Sequence, residues 1–505
     1  MKRLFKNRII TSNKYLSYLL LFLFILIIRF PFFFTDEFNW DESTYIIIGQ
    51  WIVDGNLPYL EKTAIKPPLL YYLYALFVYF SFNELYLIRF YTCFLLLINL
   101  IFLNKIFKEC FKKNFNFILI TSFIFSSTFI IKDSNALFSE NFAITFLVIS
   151  LYYFIKIKKN IDFFILGFFV SCACLVRLNL GIVPIGIFIF FIYKFRNSLT
   201  INLSKLFLYI VGGIFAALLV FFPYIYTGNL DAAWNSIIIS GSSMVKNAPN
   251  SHFGALYYLL FRKSDIFDFF YIESLFRLIF WISSFLGLLI LLFRFQNEKH
   301  IKIIIIYLCI TLSIFVGSRA TAHYLILLNP ICSVFCAYFF LKLKPKNFYK
   351  LIYLASILVC LFISIIQYDY IFKNYKQNGT LYNGLGFDIY SHIKKNDKST
   401  KNNIYIYKKH IAYWFLDKYP PTDIVHPSDI NKEYLFKGWG KFNSNKSKEM
   451  LKILETKPRY LVLNKNISNF MENFFNKNST NYLNVIKNYS LDKKFKYIHI
   501  YKNKS

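Results

Sequence analysis

Residues 15–34 read YLSYLLLFLFILIIRFPFFF, an apolar run interrupted by a single charge, Arg29. Its length suits the roughly 20 residues that an α-helix needs to cross about 30 Å of hydrocarbon. The run is longer than the core of a cleavable leader and ends without a small-residue cleavage site, so a retained first helix is expected. Further apolar runs occur near 88–104, 116–131, 139–155, 162–176, 181–193, 206–226, 275–293, 303–316, 323–341 and 351–368. Another, 69–82, is too short to span and predicts an interfacial or re-entrant helix. The basic residues decide how these are threaded. Lys105, Lys108, Lys112 and Lys113 follow the second span, Lys156, Lys158 and Lys159 the fourth, and Lys194, Arg196 and Lys205 the sixth. Arg294, Lys299 and Lys302 follow the eighth, and Lys342, Lys344, Lys346 and Lys350 the tenth. If 69–82 does not cross, all of them share the side of Lys2, Arg3, Lys6 and Arg8, which is the positive-inside pattern. Eleven transmembrane helices and a cytoplasmic N-terminus follow.

The composition agrees. Of 505 residues, 56% are hydrophobic and 17% charged, against about 25% charged in soluble domains. Soluble enzymes, secreted disulfide scaffolds and disordered regulators are excluded. The net charge of +31 raises the question of nucleic acid, but no basic motif has a readable spacing, and topology accounts for the loop charges. Membrane lipid, not nucleic acid, is the expected surrounding. Of the eight cysteines, Cys172 and Cys174 form a CxC, and Cys332 and Cys336 are four apart. Neither pair has a histidine or second pair beside it, so all eight read as small apolar residues.

The expected class is therefore an all-α polytopic membrane protein with a C-terminal extracytoplasmic α/β domain. Residues 1–368 hold the spans and the first outer loop, 35–87. The tail, 369–505, has strand-like runs at Asn403–Tyr407, Tyr460–Leu463 and Tyr497–Tyr501 and a helical stretch at 444–455. The loop 227–274 also falls outside, and no internal repeat of the kind found in repeat-built transporters is evident.

The chemistry-bearing segment is 36–76, DEFNWDESTYIIIGQWIVDGNLPYLEKTAIKPPLLYYLYAL. Asp41-Glu42 with Tyr45, then Gly55, Pro58-Tyr59, and Lys66-Pro67-Pro68-Leu69 with Tyr72 follow in order, and Arg89 opens the next span. This pattern resembles the first extracytoplasmic loop of the GT-C glycosyltransferases, in the branch of protein O-mannosyltransferases, aminoarabinose transferases and Rgt lipopolysaccharide glycosyltransferases. Arg319 with His323-Tyr324 and Pro330 resembles that family's late-helix stretch, and Tyr413, Pro420-Pro421 and Pro458–Leu463 its extracytoplasmic domain. The resemblance implies a polyprenyl-phosphate sugar donor and a glycan, lipid or protein acceptor at the cell membrane.

Such a transfer needs a base for the acceptor hydroxyl and cations for the departing phosphate. Asp41, with Glu42 beside it, is the candidate base, because a carboxylate at the membrane surface is tuned by partial desolvation. Tyr45 lies one turn on, within reach of Asp41. Asp36 and Glu37 form a second acidic pair whose plainer reading is that of solvated loop acids. Lys66 precedes two prolines that set the start of a short helix, a place suited to phosphate, although an interfacial lysine would look the same. Arg89, Arg177 and Arg319 at predicted outer ends of spans would together make a forked phosphate site. His323 and Tyr324 would orient substrate, or simply serve the arginine. Lys132, Asp133 and Glu140 read as a local salt-bridge cluster. In the aminoarabinose branch a glutamate precedes the lysine; here Ile65 stands there, so no metal or other cofactor is claimed. The alternative functions are a transporter or flippase of lipid-linked glycans, which predicts broken helices at the bilayer midplane, and a non-catalytic scaffold.

Overall fold

A computed structural model describes residues 2–113, 117–129, 134–247, 272–293, 297–316, 322–343, 346–397 and 403–504. The chain divides into two compact units, one of Met1–Phe33, Tyr86–Val220 and Pro249–Phe372, the other of Phe34–Leu85, Phe221–Ala248 and Lys373–Ser505. The first loop, Phe34–Leu85, lies in the same unit as the tail from Lys373.

The first unit is helical, and each of the eleven expected runs is a helix. They are Lys2–Arg29, Leu85–Phe111, Phe117–Phe129, Ser139–Lys156, Asn160–Val176, Ile182–Phe195, Leu199–Tyr226, Ile272–Phe293, Glu298–Val316, Asn329–Lys342 and Lys346–Asn378. Eight of the described helical segments are long and apolar enough to cross a membrane. Phe117–Phe129 and Asn160–Val176 are apolar but shorter. Ser139–Lys156 is the exception in composition, since its first turn buries Ser139, Glu140 and Asn141.

Close backbone approach holds several of these helices together. A Cβ on Gly167 would lie 2.0 Å from the Tyr209 carbonyl oxygen, and one on Gly212 2.2 Å from that of Phe164. The helices Asn160–Val176 and Leu199–Tyr226 thus meet through glycine on both sides. With no hydrophobic drive between helices in lipid, such contact maximises packing and dispersion. Gly287 meets the Phe335 carbonyl oxygen in the same way, joining Ile272–Phe293 to Asn329–Lys342.

The second unit contains a four-stranded sheet of order β1-β2-β4-β3. Its strands are β1 (Ile404–Ile406), β2 (Tyr460–Leu463), β3 (Tyr489–Lys494) and β4 (His499–Asn503). β1 and β2 are parallel, β2 and β4 antiparallel, and β3 pairs antiparallel to β4 with an irregularity between Leu491 and Lys493. Met450, Ile453, Leu461, Leu463, Phe470 and Met471 lie in the core of this sheet and its helices. The three expected strands and the helix Lys446–Glu455 are present. β3 carried no signal, because an edge strand whose side chains are exposed after Tyr489 shows no alternation of apolar and polar residues.

The first loop forms the helices Trp40–Val53 and Pro68–Tyr79, packed together. The second of these is the short helix expected at 69–82. Two isolated parallel bridges, Thr35 with Asn383 and Thr63 with Ile424, tie the loop to the tail. The Lys62 ammonium donates to the Pro420 and Thr422 carbonyls at 2.9 Å each.

Candidate active site

Asn39 caps the helix Trp40–Val53, its side chain accepting from the Asp41 backbone N–H at 3.0 Å. This puts Asp41 and Glu42 in the first helical turn, where the helix dipole favours a carboxylate. The two differ in access. Glu42 is buried, whereas the Asp41 side chain is 31% exposed. Tyr45, one turn on, donates its hydroxyl to Asp41 Oδ2 at 3.3 Å, so the i,i+4 spacing read in the sequence is realised as a contact. The other carboxylate oxygen, Oδ1, faces His426 Nε2 at 3.5 Å. His426 was not singled out in the sequence.

Lys66 is placed by a tyrosine framework. Tyr59 sits in the left-handed region, φ +70°, held there by a bond from its N–H to the Lys62 carbonyl and by its hydroxyl, which donates to the Lys66 carbonyl at 2.5 Å. The Lys66 N–H in turn donates to the Tyr71 hydroxyl oxygen at 3.3 Å. Tyr71 packs edge-on to Tyr45, with ring centroids 5.9 Å apart. Asp41, Tyr45, Tyr71 and the Lys66 backbone are therefore one contiguous group.

Asp36 and Glu37 are not solvated. They are 2% and 6% exposed. Asp36 accepts N–H groups from Glu37, Gly386 and Phe387, the last two at the N-terminus of the helix Leu385–Asn396. Gly384 precedes that helix at φ +124°, and a Cβ there would collide with the Asp36 carboxylate at 2.1 Å. Glu37 Oε1 accepts the Ser43 hydroxyl at 2.8 Å and faces His410 Nδ1 at 3.4 Å; Lys409 lies 3.5 Å from Oε2. On its other side, His410 Nε2 is 2.9 Å from the Thr44 hydroxyl. Burial raises the Asp36 carboxyl to about 6, aided by Glu37 and opposed by Lys409 and the two N–H groups of Gly386 and Glu37. For Glu37 burial also pushes upward, but His410, Lys409 and Ser43 outweigh it and hold the carboxyl below its ordinary value. Burial keeps the His410 imidazole below its ordinary value.

In the first unit, Arg177 pairs with Glu140, donates to the Ser139 hydroxyl at 2.7 Å, and lies over the Tyr324 ring, 4.5 Å from its centroid. His323 Nε2 is 3.7 Å from Glu140 Oε1, and its ring stacks on Phe138. Arg177, His323 and Tyr324 are thus brought together, around an acid. Arg89 is buried elsewhere, with its Nη1 donating to the Phe33 carbonyl at 3.2 Å and the Phe32 carbonyl at 3.5 Å, which closes the end of the first span. Arg319, Lys132 and Asp133 lie outside the described residues. Among the described residues no three His, Cys, Asp or Glu side chains are grouped to hold a metal ion.

The apolar helices, eight of them long enough to span among the described residues, and a small α/β unit define a multi-pass membrane protein of GT-C-like fold. The model of the dolichyl-phosphate-mannose-protein mannosyltransferase family matches residues 65–226, starting one residue before Lys66-Pro67-Pro68. The crystal structure of ArnT from Cupriavidus metallidurans bound to undecaprenyl phosphate is similar with a TM-score of 0.62 and 11% identity, over 96% of this chain and 98% of that one. The apo structure of the same protein gives a TM-score of 0.62 at 10% identity, over 97% and 98%. No curated protein matches the sequence. The resemblance read from the first loop is upheld by the matched segment and by the fold of the whole chain.

Proposed function

We propose that this protein is an inverting glycosyltransferase that moves a sugar from a polyprenyl-phosphate donor to an acceptor hydroxyl on the extracytoplasmic side of the cell membrane. The fold shared with a protein solved with undecaprenyl phosphate bound supports the donor class. The observation that carries the chemistry is Asp41, a partly exposed carboxylate at a helix N-terminus, held on one oxygen by Tyr45 and contiguous with Lys66 through Tyr71. Asp41 takes the acceptor proton as the acceptor oxygen bonds to the anomeric carbon. The bond from that carbon to the phosphate oxygen breaks, and its electron pair leaves with the phosphate. Lys66, at the start of Pro68–Tyr79, meets the charge that develops there. Arg319 is proposed to assist, and Glu42 to act with Asp41. Arg177 is charge-matched by Glu140, with His323 and Tyr324 completing that group, and Arg89 is taken up by backbone carbonyls, so none of the four is assigned to the donor.

The test is transfer by purified protein in detergent, from a panel of radiolabelled polyprenyl-phosphate sugars to a cell-envelope extract, with Asp41→Asn alongside. Transfer by the natural protein and its loss in a folded Asp41→Asn variant are expected. Transfer that survives Asp41→Asn removes Asp41 from the reaction, and silence with every donor removes the reading.

A further inference from the structure

Trp40 and Asp41 are consecutive residues in the first turn of the helix Trp40–Val53, which Asn39 caps. The indole and the proposed base therefore leave the helix side by side. Both are partly exposed, and the groups around them belong to the same compact unit. The His426 ring meets both, with Nε2 3.5 Å from Asp41 Oδ1 and its centroid 5.8 Å from that of Trp40. Tyr407, the residue after β1, meets the indole at 6.4 Å. Its hydroxyl accepts from the Asn431 side-chain amide at 3.0 Å, and Asn431 is exposed. The Tyr407 and His426 planes stand at 74° and 66° to the indole. Neither ring is stacked flat on it, and part of the indole stays within reach of a ligand.

The surface so formed sets apolar rings among planar groups that give and take hydrogen bonds. The indole and the phenol supply flat apolar area. The amide donates and accepts, and the carboxylate accepts. A sugar ring carries the complementary pattern, with C–H bonds on its faces and hydroxyls around its rim, each both donor and acceptor. A long-chain alcohol would cover the same polar groups without bonding them, which is unfavourable. A peptide is the remaining carrier of hydroxyls, and a common docking mode for one is strand addition at a sheet edge. The edge strand beside Tyr407 is β1, and it is closed. The Ile406 N–H donates to the Tyr413 hydroxyl at 2.7 Å, and that hydroxyl donates to the Ile404 carbonyl at 3.1 Å. Tyr413 is buried there and occupies the place of an added strand. The other edge, β3, lies at the far side of the sheet.

We propose that Trp40, with Tyr407, His426 and Asn431, forms the acceptor subsite, and that the acceptor hydroxyl belongs to a sugar ring, not to a peptide side chain or a lipid alcohol. This rests on the glycosyltransferase reading. The acceptor ring lies against the indole, Asn431 bonds hydroxyls on its rim, and the hydroxyl that reacts faces Asp41. Its proton goes to Asp41 as its oxygen bonds to the anomeric carbon of the donor, and the phosphate leaves with the electron pair of the broken bond. The product is a glycosidic bond between two sugars.

The test uses the full-length protein in detergent, the donor that supports transfer, and the cell-envelope extract as acceptor. The labelled product is purified, and its linkage is read by permethylation and mass spectrometry. Attachment to a sugar hydroxyl is expected. Kinetics against graded amounts of the same extract then locate the subsite. Trp40→Ala is expected to raise the acceptor KM about tenfold or more, with the donor KM within about twofold. Asn431→Ala, at an exposed side chain, is expected to raise the acceptor KM about three- to tenfold. Attachment of the label to serine, threonine or a lipid alcohol overturns the proposal while leaving the glycosyltransferase reading intact. So does an acceptor KM unmoved in Trp40→Ala, or a donor KM that rises in step with it, which marks a merely structural role. If Trp40→Ala fails to fold, Asn431→Ala decides in its place by the same two constants. Silence of the natural protein with every donor overturns both readings.

Discussion

Each of the two units sets an acid among polar partners, and they do so in opposite ways. Glu140 is 1% exposed and Arg177 3%, and each satisfies the other, with Ser139 and Tyr324 completing the group. Asp41 is contacted by a tyrosine hydroxyl and an imidazole, but has a face open to solvent. A closed ion pair keeps its protons fixed and has no room for a hydroxyl to approach. A carboxylate with one open side leaves room for a hydroxyl to approach. Being buried and charged is therefore a poor guide to chemistry, and a charge that a substrate can reach is a better one.

Four changes sharpen or break that contrast. The largest effect is expected at the open site. Asp41→Asn preserves the side-chain shape and the Tyr45 contact, and should lower transfer by about 10²–10⁴-fold with an unchanged unfolding midpoint; comparable turnover would erase the distinction. At the closed site, Glu140→Gln leaves the Arg177 charge buried and uncompensated, and should destabilise by about 3–5 kcal/mol. The double variant Glu140→Leu with Arg177→Met should recover most of that stability, as read by thermal unfolding in detergent. If Arg177→Met alone instead leaves stability intact and weakens donor binding, Arg177 is a phosphate ligand and the pair is not closed.

The third change concerns the acidic pair at the start of the first loop. Asp36 has a folded-state value of about 6, above its ordinary 3.8. Between those values the folded chain binds more proton than the unfolded one. The stabilisation from proton uptake is therefore complete below about pH 4 and is lost as the pH rises through about 6, with a full extent of about 2–3 kcal/mol. Asp36→Asn does not titrate, so its deficit relative to the natural protein should be greatest near pH 4 and shrink towards pH 7. Unfolding midpoints across that range check it, and a deficit that grows with pH contradicts it. The smallest effect is expected for Tyr45→Phe, which removes one hydrogen bond of 3.3 Å from Asp41. Turnover should fall by less than about tenfold, with donor KM unaltered.

How much of this was readable depends on where the partners lie. The apolar helices were legible because length and hydropathy are local properties. Asp41 and Tyr45 were legible for the same reason, since one helical turn separates them. Asp36 and Glu37 were misread as solvated because the groups that bury them, Gly386, Lys409 and His410, lie some 350 to 375 residues further on. His426 carried only the mark of a residue before proline. Arg177 and Glu140 were both noted, but nothing local said that they would face each other across 37 residues.

The sequence by itself determined the class of this protein, the presence of its apolar helices, the short helix near 69–82, and the loop from which the candidate base comes. These follow from the transfer of side chains between water and lipid and from contacts within a turn of helix, and both are written in consecutive residues. Only the tertiary structure decided which acids are closed and which is open, that the tail packs in one unit with the first loop, and that a histidine from the tail stands behind Asp41. Burial and proton exchange depend on the full set of neighbours, and those neighbours are assembled by folding from distant parts of the chain.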